Sequence, residues 1–175
     1  MADDAPDIGT ADITALILDD HEWFRRQFAA LDDARTPEEL SAVWEPLATR
    51  LDTHADAEEQ IFYPRLLLQG EDDPKDETED AVHDHNEIRE AVEKARAAKV
   101  GSDDWYAAVD KAREENSEHL AEEEDGPLRD FRKNATREQR AELAQQWIAF
   151  YAAHPAGRGV DTTPKDPAQY IEDNS

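Results

Sequence analysis

Apolar residues recur along the chain at three- and four-residue intervals, the spacing of one helix face, and do not alternate as a half-buried strand would. The pattern predicts a first helix from about Ala11 to Leu31. Its stripe is Ile13, Leu16, Ile17, Phe24, Phe28 and Leu31, with His21 on the same face. A second helix opens at Thr36-Pro37-Glu38-Glu39, where Thr36 caps, Pro37 takes the first helical position and Glu39 closes a capping box. Its stripe is Leu40, Val43, Trp44, Leu47, Leu51, His54, Ile61 and Phe62. Pro46 should kink this helix or split off its first turns, and Pro64 and Gly70 mark where it fails.

An acidic linker, Glu71 to Asp76, leads to a third helix with the stripe Val82, His85, Ile88, Val92 and Ala95. Gly101-Ser102 stops it and caps a fourth, which carries Trp105, Val109, Ala112, Asn116, His119 and Leu120 and ends near Gly126-Pro127. A fifth opens with a second capping box, Thr136 to Gln139, carries Leu143, Trp147, Ile148 and Tyr151, and ends at His154-Pro155. Short connections between such helices predict an all-α fold: an up-down four-helix bundle with an additional C-terminal helix and tail. The expected organisation is a disordered acidic N-terminus over residues 1–10, the bundle over 11–132, the extra helix over 136–153 and an extended tail over 156–175.

Charge narrows the range of partners. The chain has 44 Asp plus Glu against 19 Lys plus Arg, a formal net charge of −25, which repels phosphate backbones and anionic membrane surfaces. Neither nucleic acid nor a membrane is an expected partner. The excess reads as a solvated, self-repelling surface, or as adaptation to high salt. There are no cysteines, which excludes disulfides, zinc-thiolate sites, iron–sulfur clusters and thiol catalysis; any metal must sit on nitrogen and oxygen. No apolar run is long enough to span a membrane, and the acidic start does not read as a signal peptide, so the expected location is cytoplasmic.

The histidines reveal an internal repeat. Asp20-His21 is followed by His54 with Glu58-Glu59 four and five residues on; Asp84-His85 is followed by His119 with Glu123-Glu124 at the same offsets. Residues four apart share a helix face, so His54 with Glu58, and His119 with Glu123, can each chelate one ion. A carboxylate has two oxygens and can bridge two cations, which an imidazole cannot. His21, His54, His85 and His119 all fall on apolar stripes, and inward carboxylates among apolar groups are costly without a cation. The mixed donor set suits iron, with manganese or zinc as alternatives. His83, with Glu87 four residues on, falls on the polar side of its helix; it reads as exposed, although a small error of phase would exchange it with His85. His154 reads as a helix C-terminal dipole partner, Tyr63 as a helix-surface aromatic, Asp20 and Asp84 as solvated acids, and the four tryptophans as packing.

The order His … His-x-x-x-Glu … His … His-x-x-x-Glu resembles the hemerythrin-like HHE cation-binding family from about Ile13 to Phe131. The phrases LILDDHEWFRRQF, HADAEEQIFYPRL, DHNEIREAV and HLAEEEDGPL carry the likeness. The resemblance implies a four-helix bundle holding two non-haem irons, oxo- or hydroxo-bridged. His21, His54, His85 and His119 would be terminal ligands and Glu58 and Glu123 bridges. It departs from the oxygen-carrying members, which have a second histidine four residues on in the third helix, where this chain has Arg89, and an aspartate after the last histidine. The expected function is therefore binding of, or reaction with, a small oxidant (oxygen, peroxide or nitric oxide), with peroxidase-, catalase- or nitric oxide-reducing chemistry and an electron-donor partner in view. The alternative is a non-catalytic sensor or iron-binding module.

Overall fold

The computed structural model describes residues 11–175; the acidic segment 1–10, read as disordered, lies outside them. The described residues are helical, with no strand among them. The helices are α1 (Ile13–Asp33), α2 (Pro37–Ala57), a π-helical turn (Glu58–Phe62), α3 (Tyr63–Gln69), α4 (Pro74–Ala97), α5 (Asp103–Asp125), α6 (Pro127–Asn134), α7 (Arg137–Ala153) and α8 (Pro167–Asn174). Both capping boxes form as expected, at Thr36 with Glu39 and at Thr136 with Gln139, and Ser102 accepts from the Trp105 amide.

α4 and α5 pack along their lengths, α1 lies on α2, and α7 lies across α1, α2 and the π turn. The apolar core falls into two clusters. One gathers Ile17, Phe62, Leu66, Phe131 and Trp147, the other Phe24, Trp44, Leu47, Val92 and Trp105. Each such side chain contributes about 1.5–3 kcal/mol when fully buried. Along α1, His21 sits between Ile17 of the first cluster and Phe24 of the second. His85 sits in the same way between Val82 and Ile88 on α4. The histidines therefore form a polar layer between two apolar ones.

Three expectations about the elements change. α2 runs through Pro46 unbroken, and the irregularity falls at the π turn instead. There the Tyr63 amide bonds back five residues to the Glu58 carbonyl. Pro64 has no N–H, and its ring crowds the carbonyl four residues back, which favours this wider turn. On α7 the buried face is Leu143, Ala144, Trp147 and Phe150, while Ile148 is exposed. The tail is not simply extended: Asp166 caps α8, and Tyr170 is buried against the first cluster. One aromatic anchor and the contacts around it hold a segment poor in apolar residues. α6, between the fourth and extra helices, had no separate expectation.

Candidate metal centre

Each histidine of the repeat arrives from a different helix: His21 on α1, His54 on α2, His85 on α4 and His119 on α5, all nearly inaccessible to solvent. Glu58 on the π turn and Glu123 on α5 are buried with them. Donor atoms of His21, His54, Glu58 and Glu123 lie within 4.8 Å of one another, as do those of Glu58, His85 and His119. Glu58 belongs to both groups. Its Oε1 is 2.9 Å from His54 Nε2 and its Oε2 is 3.1 Å from His85 Nε2 and 3.9 Å from His119 Nε2. Glu123 is less evenly placed. Its Oε2 is 3.1 Å from His21 Nε2 and 4.0 Å from His119 Nε2, while its Oε1 accepts a 2.7 Å hydrogen bond from Tyr63. His83 is exposed, and His154 instead donates from Nδ1 to the Phe150 carbonyl at the end of α7.

The outer nitrogens are held by a ring of carboxylates. Asp20 of α1 accepts from His54 Nδ1 at 3.0 Å, and Glu59 of the π turn accepts from His85 Nδ1 at 2.9 Å. Asp84 of α4 faces His119 Nδ1 at 3.4 Å, and Glu124 of α5 accepts from His21 Nδ1 at 2.9 Å. Each helix thus lends one acid to the histidine of the next, and the ring closes on itself. The reading of Asp20 and Asp84 as solvated acids is corrected: Asp20 is buried, Asp84 half-buried, and both face ring nitrogens. Cations finish the ring. Arg50 and the Tyr151 hydroxyl hold Asp20, Arg25 holds Glu124, and Arg89 grips Glu59 through both guanidinium nitrogens at 2.9 and 3.0 Å. Lys165 from the tail also reaches Glu59, at 2.6 Å, and the Tyr170 hydroxyl donates to the Glu59 carbonyl.

With Nδ1–H committed outward, every Nε2 presents a lone pair inward. His21 Nε2, His54 Nε2, Glu58 Oε1 and Glu123 Oε2 are buried with no hydrogen-bond partner, and His85 Nε2 stands 3.2 Å from His119 Nε2. Converging lone pairs and carboxylate oxygens repel one another unless a proton or a metal cation lies among them. The titration behaviour agrees. Burial alone would push His54 and His119 down, yet for His54 the negative charge of Glu58 and the hydrogen bond to Asp20 outweigh it, and for His119 the nearby carboxylates of Asp84, Glu58 and Glu123 do. Both rise to about 10. Burial would raise Glu58 and Glu59, but the surrounding imidazoles, with Arg89 for Glu59, hold Glu58 well below the usual carboxylate range and bring Glu59 to about 2. The donor set and the orphaned atoms fit a bound metal cation.

Tyr63, Glu59 and Glu124 had no role in the sequence reading of the site. Tyr63, taken as a surface aromatic, is wholly buried. Nine residues past His54 on an unbroken helix is about half a turn away, at roughly 100° per residue. The π turn removes about one residue of advance and swings the phenol inward. Burial, with Glu123 and Glu58 beside it, raises its pKa well above the ordinary tyrosine value. Pro64 was the available signal. Glu59 was visible only as the second acid of the repeated Glu-Glu pair, and that repetition was the clue. Three tryptophans are buried packing residues, but Trp147 packs on a ligand candidate, its ring 5.4 Å from that of His54.

No helix among the described residues is long and apolar enough to cross a membrane. The chain is 23% identical over 151 residues to a protein named DNA nickase from Nostoc sp. (strain PCC 7120), an alignment covering 86% of this chain and 40% of that protein. The chain therefore spans less than half the length of this curated relative. No solved structure matches it significantly. Residues 12–128, more than half of the chain and including His21, His54, Glu58, His85, His119 and Glu123, match the hemerythrin HHE cation binding domain, and the chain belongs to that family.

Proposed function

We propose that the chain holds two non-haem iron ions, with His21, His54, His85 and His119 as terminal ligands and Glu58 and Glu123 as bridges, in an up-down bundle of α1, α2, α4 and α5. The observation that carries this is the convergence of four inward Nε2 atoms and two buried carboxylates with unpartnered oxygens. The donor set suits iron, and manganese or zinc less well. When bound, iron supplies Lewis acidity and one-electron chemistry toward oxygen, peroxide or nitric oxide. The protein's own residues hold the ring tautomers through Asp20, Glu59, Asp84 and Glu124, exclude bulk water, and fix a phenol proton on Tyr63 beside Glu123. Beside Tyr63, Asp84, His119 and Glu123 lies a cavity of about 10 Å³, at the lower limit for one water-sized molecule. It is far too small for an organic substrate.

A second reading, an iron or oxygen sensor without turnover, draws support from ligands contributed by four separate helices, because occupancy then couples to the stability of the whole bundle. The nicking activity in the name of the Nostoc protein is not carried over. The identity is low, the overlap partial, and a net charge of −25 opposes a nucleic-acid partner. The same reading places the chain in the cytoplasm.

The test is metal analysis with a visible spectrum on iron-reconstituted protein, beside His54→Ala and His119→Ala. About two irons per chain, with charge-transfer bands that both substitutions weaken, is the expected result. His54 and His119 are held protonated to about pH 10 without metal, so loading at pH 8 also releases protons. Protein that takes up no iron overturns the proposal.

A further inference from the structure

A second and larger cavity, about 450 Å³, opens between α1, α2 and the chain leaving α7. Trp23, Pro46, Arg50, Tyr151 and Pro155 are among its walls, with Glu45 at the exposed rim. Gly157 makes this wall possible. Its φ of +70° suits glycine, and a Cβ there would fall 2.6 Å from Thr49 Cγ2 on α2. The Arg50 guanidinium lies against both aromatic rings, 5.4 Å from the centre of Trp23 and 4.8 Å from that of Tyr151. The cavity wall connects directly to the metal centre. The Tyr151 ring is 5.5 Å from Trp147, and Trp147, 4% exposed, is 5.4 Å from His54. The Tyr151 hydroxyl also donates to the Asp20 oxygen that accepts from His54 Nδ1. Trp147 and Tyr151 belong to α7, beyond the residues 12–128 that the family match covers.

We propose that this cavity is the electron-entry site, taking a neutral hydroquinone whose electrons reach the centre through Tyr151, Trp147 and His54. This rests on the di-iron reading above. Aromatic walls favour a planar ring, and the guanidinium offers donors to its oxygens. Asp20 already compensates Arg50, and Glu45 stands at the rim, so a neutral carrier fits better than an anionic one. The chemistry balances: the hydroquinone becomes the quinone, losing two electrons and two protons. The electrons reduce two ferric ions to ferrous, and the protons leave to solvent at the cavity mouth. The route needs ring contact alone, not an oxidised tyrosine.

The experiment has two parts. Menadione titrated into iron-free protein should shift the indole signals of Trp23 and Trp147 saturably in NMR spectra, and Glu45→Trp, which narrows the mouth, should weaken that binding. In iron-loaded protein under anaerobic conditions, menadiol should bleach the ferric absorption. Glu45→Trp and Tyr151→Leu, which removes the ring, should each slow that bleaching about tenfold, a small rise in barrier. Tyr151→Phe, which keeps the ring, should bleach near the wild-type rate, and reduction of Glu45→Trp by dithionite should stay at the wild-type rate. Absence of saturable shifts, or an unchanged menadiol rate in Glu45→Trp or in Tyr151→Leu, overturns the proposal. Equal slowing in Tyr151→Leu and Tyr151→Phe also overturns it, because the hydroxyl would then act on the centre through Asp20. Failure to load iron is a separate outcome that sinks the di-iron reading itself, whatever the iron-free titration shows.

Discussion

In the first helical pair, Asp20 is buried at 4% exposure, sits 3.0 Å from His54 and is held by Arg50 and Tyr151. In the second pair, its counterpart Asp84 is half-buried and 3.4 Å from His119. Glu58 turns both oxygens toward the histidines, whereas Glu123 gives one of its oxygens to Tyr63. The same short motif has been placed in two environments: a cross-braced first half under α7, and a second half beside the small cavity. Repetition in sequence sets the donor types, and the surroundings set how firmly each donor is committed. On the proposed function, the half with looser outer support is where an incoming small ligand would have least to displace.

The largest expected effect separates the two glutamates. Glu58→Ala removes the residue common to both donor groups and should leave iron content near zero, while Glu123→Ala should retain about one ion per chain. Equal losses measured by metal analysis would show that the glutamates bridge equivalently. Next come the outer acids. Asp20→Asn should weaken iron affinity within the roughly 10- to 100-fold range typical of such partners, and Asp84→Asn by less. Competition with a chelator reads both, and an effect at Asp84 as large as that at Asp20 would remove the distinction between the halves. The smallest effect is Tyr63→Phe, which frees Glu123 Oε1. Loss of one buried hydrogen bond should cost about 1 kcal/mol and lower Tm by a few degrees. The visible spectrum should shift as Glu123 Oε1 loses its phenol donor. A lowered Tm with an unchanged spectrum would leave Tyr63 a purely structural partner.

The chain by itself determined the main helices, both capping boxes and the inward placement of four histidines, because helical phase puts each of these histidines on an apolar stripe: His85 is buried and His83 exposed, as three- and four-residue spacing requires. It also contained the ring of supporting acids, since Asp20, Glu59, Asp84 and Glu124 are the residues adjoining the donors in each repeat. Adjacency, however, does not say which neighbour a side chain will meet, and Asp20 serves His54 rather than His21. Tertiary structure alone decided those pairings. They depend on how four helices face one another, on a π turn that rotates Tyr63 inward, and on α7 and the tail, whose Trp147, Tyr151 and Lys165 reach the centre across more than a hundred, or nearly a hundred, residues of chain. Local periodicity reports which side of a helix is buried. What lies against that side is fixed only when distant segments close on one another, and there the unequal halves of this centre arise.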